Sequence, residues 1–213
     1  MLAPDGGGKT TFLDELIKKL VFYFVEDAID NKFHLYHFRP NLLPNLGEVG
    51  ENIGIMVQNK NFSNPHRSKP ANFISSLGRI TYYWLDYLLG WQIFVRKDVQ
   101  KDRFTIFDRY GYDLIVDPER TKLNLPFWIR KLFVHFMPHP KIIFYLDASP
   151  EIIFMRKKEL TYNEIVRQVK LYREIAKSDK RFVTLNAERP VDLMVNDALK
   201  IIIDRFCEKL KNE

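Results

Sequence analysis

Three kinds of feature are scarce in this sequence, and each scarcity excludes a class of protein. The chain has one cysteine, Cys207, so it has no internal disulfide and a reducing, cytoplasmic setting is expected. No apolar run approaches the roughly 20 residues that a membrane helix needs, so we expect no membrane partner. The five histidines show no metal-ligand spacing, and the sequence contains no internal repeat and no low-complexity tract. Disulfide scaffolds, membrane proteins and repeat proteins are therefore not expected.

The chain does have enough apolar residues for a core, and a modest surplus of positive charge. Hydrophobic residues make up 46% of its 213 residues, which suits one domain over 1–213. Its 33 Lys and Arg exceed its 27 Asp and Glu, which gives a formal net charge of +6. A surplus of this sign favours an anionic partner, such as nucleic acid, an anionic membrane surface or phosphate groups.

Short β-type runs alternate with helical patterns along the chain. The runs are rich in branched and aromatic residues and lie at 33–38, 103–107, 141–146 and 181–185. Helical spacing is clear over 12–24, 162–176 and 193–206, and Thr161 and Glu164 form a candidate capping box before the second of these helices. An aromatic-rich helical stretch covers 73–95, and we expect most of it to lie in the core. This alternation predicts a three-layer α/β fold with a mainly parallel sheet.

The segment 40–71 follows neither pattern. It contains four prolines together with several glycines and asparagines, and it shows no sustained helical period. We therefore predict a long loop or a mobile flap. A surface insertion without a function fits the composition equally well.

A glycine-rich segment near the start of the chain carries the clearest chemical signal. The sequence APDGGGKTT at 3–11 stands directly before an amphipathic helix. Glycines let backbone N–H groups turn inward around a phosphate, while a following lysine and hydroxyl serve the β/γ-phosphates and Mg²⁺. Lys9 is the candidate catalytic cation and Thr10 the candidate metal ligand. The predicted ATP-phosphate site comprises Asp5, Gly6, Gly7, Gly8, Lys9, Thr10 and Thr11.

Two features of this segment depart from the usual phosphate loop. Ala3 stands where the pattern asks for a glycine, so a glycine-rich arm before an ordinary helix is the alternative. Such a loop normally follows a buried strand of about five residues, yet only Met1 and Leu2 precede Ala3. We therefore expect the first strand of the sheet to be largely missing from this chain.

A charged pair at the end of another predicted strand supplies the second half of the candidate site. Asp108 and Arg109 directly follow the run at 103–107, and parallel sheets bind their ligands beyond the carboxyl ends of their strands. Asp108 is a candidate for the Mg²⁺ shell, and Arg109 is a candidate for holding an anionic acceptor. A strand-end salt bridge is the alternative explanation.

These motifs, together with two more, resemble the thymidylate kinase family of nucleoside monophosphate kinases. The similar segments are PDGGGKTTF, FDRY, and YLDASPEIIFMRKKEL with YREIA downstream, so the resemblance spans nearly the whole chain. It implies a P-loop kinase fold with a parallel sheet of about five strands. It also implies ATP and Mg²⁺ as partners, and transfer of the γ-phosphoryl group of ATP to a nucleoside monophosphate such as dTMP. A homodimer is common in that family, with the aromatic helix as a candidate interface.

The resemblance assigns roles to residues of the acceptor side. Asp5 matches the loop carboxylate that faces the acceptor nucleotide in the family. Asp108 and Arg109 match the pair that lies beside the transferred phosphate, so Arg109 is a candidate catalytic residue. Tyr82 lies on the helix that stacks an aromatic ring on the acceptor base, although core packing is the alternative for this side chain.

The resemblance also implies a lid at about 154–168 that closes over the phosphates. Arg156 falls at the start of this lid, where relatives without a loop arginine keep a catalytic one, and Gly7 occupies that loop position here. Catalysis of phosphoryl transfer rests mainly on such cations and on positioning. Spacing leaves open whether Arg156, Lys157, Lys158 or Arg167 fills the role, and a solvated helix face is the alternative for each.

The residues around the predicted acceptor site depart from the family. Asp113 places an acid where a phosphate monoester is expected, which favours a hydroxyl acceptor such as a nucleoside or a sugar derivative. Arg39, after the run at 33–38, instead favours an anionic acceptor and offers no carboxylate base. The candidate acceptor-binding residues are therefore Asp5, Arg39, Tyr82, Asp108, Arg109 and Asp113. A nucleotide-binding protein without catalysis is a further alternative, and nucleic acid is not expected because the basic residues form no stripe with a nucleic-acid-reading motif.

Overall fold

The computed structural model describes residues 1–24, 33–44, 72–101 and 103–211. Most of the predicted flap, from residue 45 to residue 71, lies outside these ranges. The chain divides into two compact units: Met1–Phe33 with Pro140–Glu213, and His34–His139. The prediction of one domain over 1–213 stays a prediction.

Helices and strands alternate along the described residues. The strands are β1 (Phe33–His37), β2 (Phe104–Asp108), β3 (Ile143–Asp147) and β4 (Phe182–Asn186). The helices are α1 (Lys9–Phe24), α2 (Phe73–Gly90), α3 (Arg96–Gln100), α4 (Asp113–Val116), α5 (Phe127–His135), α6 (Pro150–Arg156), α7 (Tyr162–Ser178) and α8 (Val191–Lys211), and a π-helical turn (Trp91–Val95) joins α2 to α3. All four predicted strands form within two residues of their expected bounds, so the α/β prediction is confirmed.

The described strands form two parallel pairs, β1 with β2 and β3 with β4. In the second pair the register runs from Ile143 opposite Phe182 to Asp147 opposite Asn186. Leu2 makes an isolated parallel bridge to Tyr145, and its N–H and C=O bond to Phe144 and Leu146 at 2.8 and 3.0 Å. The residue before the glycine-rich loop is therefore anchored beside β3. The sheet of about five strands stays a prediction.

Within the described ranges, the first unit contains the β3–β4 pair and four helices, α1, α6, α7 and α8. Helix α1 packs against α8, and α7 packs against both strands. Thr161 caps α7 as predicted, because its hydroxyl accepts the Glu164 N–H at 3.3 Å. The core of this unit contains fully buried side chains from every layer: Leu2, Phe12, Tyr145, Leu146, Ile153, Ile165, Tyr172 and Val195.

The second unit has an aromatic core at the ends of β1 and β2. Tyr36 stacks on Phe107 with ring centroids 4.9 Å apart, and Tyr110 packs edge-on against Tyr87 at 4.8 Å. The expectation that most of the stretch 73–95 lies in the core is wrong. One face of α2 is buried, but the opposite face exposes apolar side chains, including 80% of Ile74. No helix in the described ranges is both long and apolar enough to cross a membrane.

Candidate functional site

The glycine-rich loop closes tightly before α1, and three successive glycines make this closure possible. Gly6 and Gly8 adopt φ angles of +87° and +84°, which side-chain-bearing residues rarely adopt. Gly7 has no such angle, but a Cβ there would lie 2.7 Å from Cβ of Ala3. The segment is therefore a tightly closed loop that precedes a 16-residue helix. It is not an extended arm that makes no contacts with the rest of the unit. Backbone N–H groups and the helix dipole favour an anion at such a terminus.

We expect Gly7→Ala to destabilise the protein by about 1–3 kcal/mol, because the added methyl overlaps Ala3 in a buried loop. Gly78→Ala is the matched control, since a Cβ at this position of α2 meets nothing within 4 Å. Alanine in a helix interior should stabilise the control by about 0.5–1 kcal/mol. Chemical denaturation measures both changes, and equal behaviour of the two variants would contradict the packing described for Gly7.

Lys9 is held against the loop by its own backbone. Its Nζ donates to the carbonyl oxygens of Ala3 at 2.7 Å and Pro4 at 2.9 Å, and only 8% of the residue is exposed. Its ammonium also lies 3.9 Å from the Asp5 carboxylate. These contacts hold the Lys9 ammonium against the loop.

The residues after Lys9 can serve a hydrated magnesium ion. Thr10 and Thr11 lie in the first turn of α1 and are exposed. The described residues contain no group of three or more His, Cys, Asp or Glu side chains that could hold a metal by themselves. Mg²⁺ keeps several waters and binds through one or two protein oxygens together with substrate phosphates. The exposed hydroxyls of Thr10 and Thr11, beside the glycine-rich loop, are therefore suitable ligands for Mg²⁺.

The structure distinguishes the four cations of the predicted lid among which spacing could not decide. Arg156 ends α6, where its Nη2 donates to the Ala187 carbonyl oxygen at 3.0 Å and its Nη1 lies 3.9 Å from the Cβ position of Gly8. The charged groups of the other three cations have different partners. The Lys157 ammonium pairs with the Glu159 carboxylate at 3.0 Å, and the Lys158 ammonium lies over the Phe154 ring. The Arg167 guanidinium donates to the Glu164 carboxylate at 2.8 Å. Arg156 is therefore the member of this set whose charged group lies beside the loop.

A carboxylate that the sequence did not single out lies close to Arg156. Glu188 accepts the backbone N–H of Ser149 at 2.8 Å. This hydrogen bond lowers the pKa of Glu188, and the positive charges of Arg156 and Arg173 act in the same direction. Asp147, at the carboxyl end of β3, accepts Nε of Arg173 at 2.9 Å. Near the carboxyl ends of β3 and β4, the acids Asp147 and Glu188 thus lie close to the arginines Arg156 and Arg173.

In the second unit, Asp108 and His37 lie together at the carboxyl ends of β2 and β1. Nδ1 of His37 is 3.1 Å from Oδ2 of Asp108, and the Phe38 N–H donates to the Asp108 carbonyl oxygen at 2.8 Å. Each strand is followed by a non-glycine residue in the left-handed region, Phe38 at φ +65° and Arg109 at +72°. Such strained residues cluster at functional sites. Sequence reasoning assigned no role to His37, because only its pairing with β2 reveals the contact.

Arg109 is fixed by an acid on the following helix. Its Nη1 is 2.7 Å from Oδ2 of Asp113, and the two side chains are 7% and 2% exposed. Asp113 is the first residue of α4, so the pair has i,i+4 spacing. The structure thus brings together two of the predicted acceptor-binding residues as a buried ion pair.

Arg39 has a second buried acid as its partner. Its Nη1 is 3.1 Å from Oδ2 of Asp86, whose side chain is fully buried on α2. Asp86 also accepts the backbone N–H groups of Asn41 at 3.1 Å and Leu43 at 2.6 Å. Tyr82, one turn earlier, lies beside the Arg39 guanidinium, with 6.0 Å from the ring centroid to the guanidinium carbon. Sequence reasoning missed Asp86, although a lone acid inside an aromatic helical stretch was a visible signal.

Tyrosines of α2 hold the segment that carries Arg39. The Tyr82 hydroxyl donates to the Pro44 carbonyl oxygen at 2.5 Å, and the Tyr87 hydroxyl donates to the Phe38 carbonyl oxygen. Complete burial raises the pKa of Tyr87, and the negative charges of Asp113 and Asp86 add to this effect. Tyr87 therefore stays a neutral donor at physiological pH.

Comparison with known proteins shows the fold of the chain. No family model matches the sequence, and no curated protein matches it. Among solved structures, thymidylate kinase from Ehrlichia chaffeensis is similar over 93% of this chain and 94% of its own, with a TM-score of 0.58 and 14% sequence identity. At this identity the likeness shows the fold alone. The chain therefore has a kinase-like α/β fold similar to that of a thymidylate kinase.

Proposed function

We propose that this protein is an ATP-dependent phosphotransferase of the thymidylate-kinase type. One observation carries the proposal: a glycine loop at the start of a long helix holds the Lys9 ammonium, and the Arg156 guanidinium lies beside the same loop. Cations and N–H groups gathered at one helix terminus suit the polyphosphate of a nucleotide. The fold shared with a thymidylate kinase supports the same conclusion.

The residues of the first unit divide the work of binding ATP. In this proposal the N–H groups of Gly6 and Gly8 surround the phosphates, the Gly7 N–H closes the loop by donating to the Pro4 carbonyl oxygen at 3.0 Å, and Lys9 binds the β- and γ-phosphate oxygens. The Thr10 hydroxyl would hold the magnesium ion, which when bound neutralises phosphate charge. Arg156 stabilises the charge that spreads over the transferred group, since it already points to the loop.

The acceptor binds to the second unit, to residues that include Arg39, Tyr82, Asp108, Arg109 and Asp113. A nucleoside monophosphate is the acceptor that the family resemblance implies. A neutral hydroxyl compound, such as a nucleoside or a sugar derivative, is the second candidate. The pairing of Arg109 with Asp113 favours this second candidate, because the acid cancels the positive charge that a phosphate monoester needs.

An acceptor screen tests the proposal. We expect ADP formation that requires Mg²⁺, ATP and an added acceptor, measured by a coupled ADP assay over nucleosides, their monophosphates and sugars. Absence of acceptor-dependent ADP formation over the whole panel would contradict a phosphotransferase. Calorimetry with ATP and Mg²⁺ would then show whether the loop still binds a nucleotide without catalysis.

A further inference from the structure

The cations of the two units differ in how closely a carboxylate approaches them: 3.9 Å at Lys9, but 2.7 Å at Arg109 and 3.1 Å at Arg39. In the first unit, Lys9 donates to two loop carbonyl oxygens and Arg156 donates to that of Ala187. Carbonyl oxygens are neutral, so they orient these cations without cancelling their charge. The Asp5 carboxylate lies 3.9 Å from the Lys9 ammonium, so this ion pair is longer than a hydrogen bond. These two cations can therefore act on the polyanion ATP.

In the second unit, both arginines of the predicted acceptor site are paired with buried acids. Arg109 lies 2.7 Å from Asp113, with side-chain exposures of 7% and 2%. Arg39 lies 3.1 Å from Asp86, with exposures of 5% and 0%. Each pair has no net charge, and Asp108, whose carboxylate lies 3.1 Å from Nδ1 of His37, adds a third carboxylate at the end of β2. Acids outnumber arginines among these five side chains.

A phosphate dianion could use these arginines in two ways, and each has an electrostatic cost. It could displace the acid, which would leave a buried carboxylate without its cation, and such broken pairs are strongly destabilising. It could instead share the guanidinium with the acid, which would place three negative charges around one positive charge. A neutral hydroxyl group incurs neither cost. It can accept a hydrogen bond from Arg109 and donate one to a carboxylate.

We infer that the acceptor is an uncharged compound that is phosphorylated on a hydroxyl group, and that Asp113 sets this specificity. The inference rests on the proposed function, because it names the acceptor class of the same phosphotransferase. The acceptor hydroxyl oxygen forms a bond to the γ-phosphorus of ATP. The bond from that phosphorus to the β–γ bridging oxygen breaks, its electron pair leaves with ADP, and the hydroxyl proton is released to solvent.

Matched acceptor pairs test the substrate class in the unmodified protein. Each pair consists of a nucleoside and its 5′-monophosphate, or of a sugar and its phosphate, and each is supplied with ATP and Mg²⁺. ADP release and the phosphorylated product are measured together. We expect the neutral member of at least one pair to have a kcat/KM at least about tenfold above that of its phosphate. The nucleoside and sugar arms identify which kind of hydroxyl compound binds.

Asp113→Asn tests the residue that sets the specificity. The change keeps the size of the side chain and removes its charge, so it should shift the kcat/KM ratio at least about tenfold towards the phosphorylated member. Glu119→Gln is the matched control, because it removes the same charge from an exposed position in the same unit and should leave the ratio unchanged. A purely structural role for Asp113 would lower activity with both members without moving their ratio.

The possible results separate the inference from the proposed function. Preference for neutral acceptors, with a ratio that moves in Asp113→Asn, supports the inference. Equal or better turnover of the phosphorylated members by the unmodified protein overturns it and leaves the phosphotransferase standing. Absence of acceptor-dependent ADP release with every compound overturns both. The panel with unmodified protein decides the acceptor class even where Asp113→Asn does not fold.

Discussion

Replacing Lys9 by methionine is expected to lower kcat/KM for phosphoryl transfer by about 10²–10³-fold. The Lys9 side chain is 8% exposed and its ammonium is hydrogen-bonded to two loop carbonyl oxygens, so the charge is already in place before ATP binds. Charge that develops on the transferred group would lose this preorganised partner in the variant. Methionine keeps most of the apolar stem, so the change removes the charge with little loss of packing. Steady-state kinetics with the best acceptor of the screen measures the effect.

Lys18→Met is the matched control for this change. Lys18 lies on the same helix, 68% of its side chain is exposed, and it pairs with Glu15. The control protein should retain activity within about twofold, since exposed ion pairs contribute little. Equal activities of Lys9→Met and the unmodified protein, with both proteins folded by circular dichroism, would refute the assignment of the loop as the phosphate site.

Arg156→Met is expected to lower kcat by about 10²–10³-fold, with a smaller change in the affinity for ATP. The guanidinium is oriented by a neutral carbonyl oxygen and lies beside Gly8, so its charge remains available to the transferred group. A cation that acts mainly on the transition state affects kcat more than ground-state binding. Single-turnover kinetics, together with calorimetry of ATP binding, separates the two effects.

Lys158→Met serves as the control, because Lys158 is exposed in the same predicted lid and its ammonium lies over the Phe154 ring. We expect this protein to keep its kcat within about twofold, as for other exposed cations. A larger loss of kcat in Lys158→Met than in Arg156→Met would show that the wrong lid cation has been assigned the catalytic role.

The secondary structure was largely predictable because it depends on local patterns. Branched and aromatic runs gave the four strands within two residues, and Thr161 gave the start of α7. The glycine-rich loop before α1 was also predictable as a local motif, since its glycines and Lys9 are contiguous in sequence; its phosphate-binding role stays a prediction. The parallel bridge from Leu2 to Tyr145 could not be predicted in this way, because only the structure brings the two residues together.

The acceptor side could not be predicted to the same extent because its contacts are not local. Asp86 reaches Arg39 across 47 positions of sequence, and His37 reaches Asp108 across 71. No periodicity or spacing encodes such pairs. Arg109 and Asp113 were both visible in the sequence, but their pairing, which decides the charge offered to an acceptor, needed coordinates. The exposed face of α2 was missed because its apolar residues resemble those of a core helix.

The most direct test of a phosphotransferase built on the Lys9 loop follows the phosphate itself. ATP labelled at the γ-phosphorus is incubated with Mg²⁺, the protein and the acceptor panel, and the products are separated. We predict that the label appears on an acceptor with the unmodified protein and with Lys18→Met, and falls by about 10²–10³-fold with Lys9→Met. Label that stays on ATP with every acceptor, or that moves equally well with Lys9→Met, would contradict the proposed function.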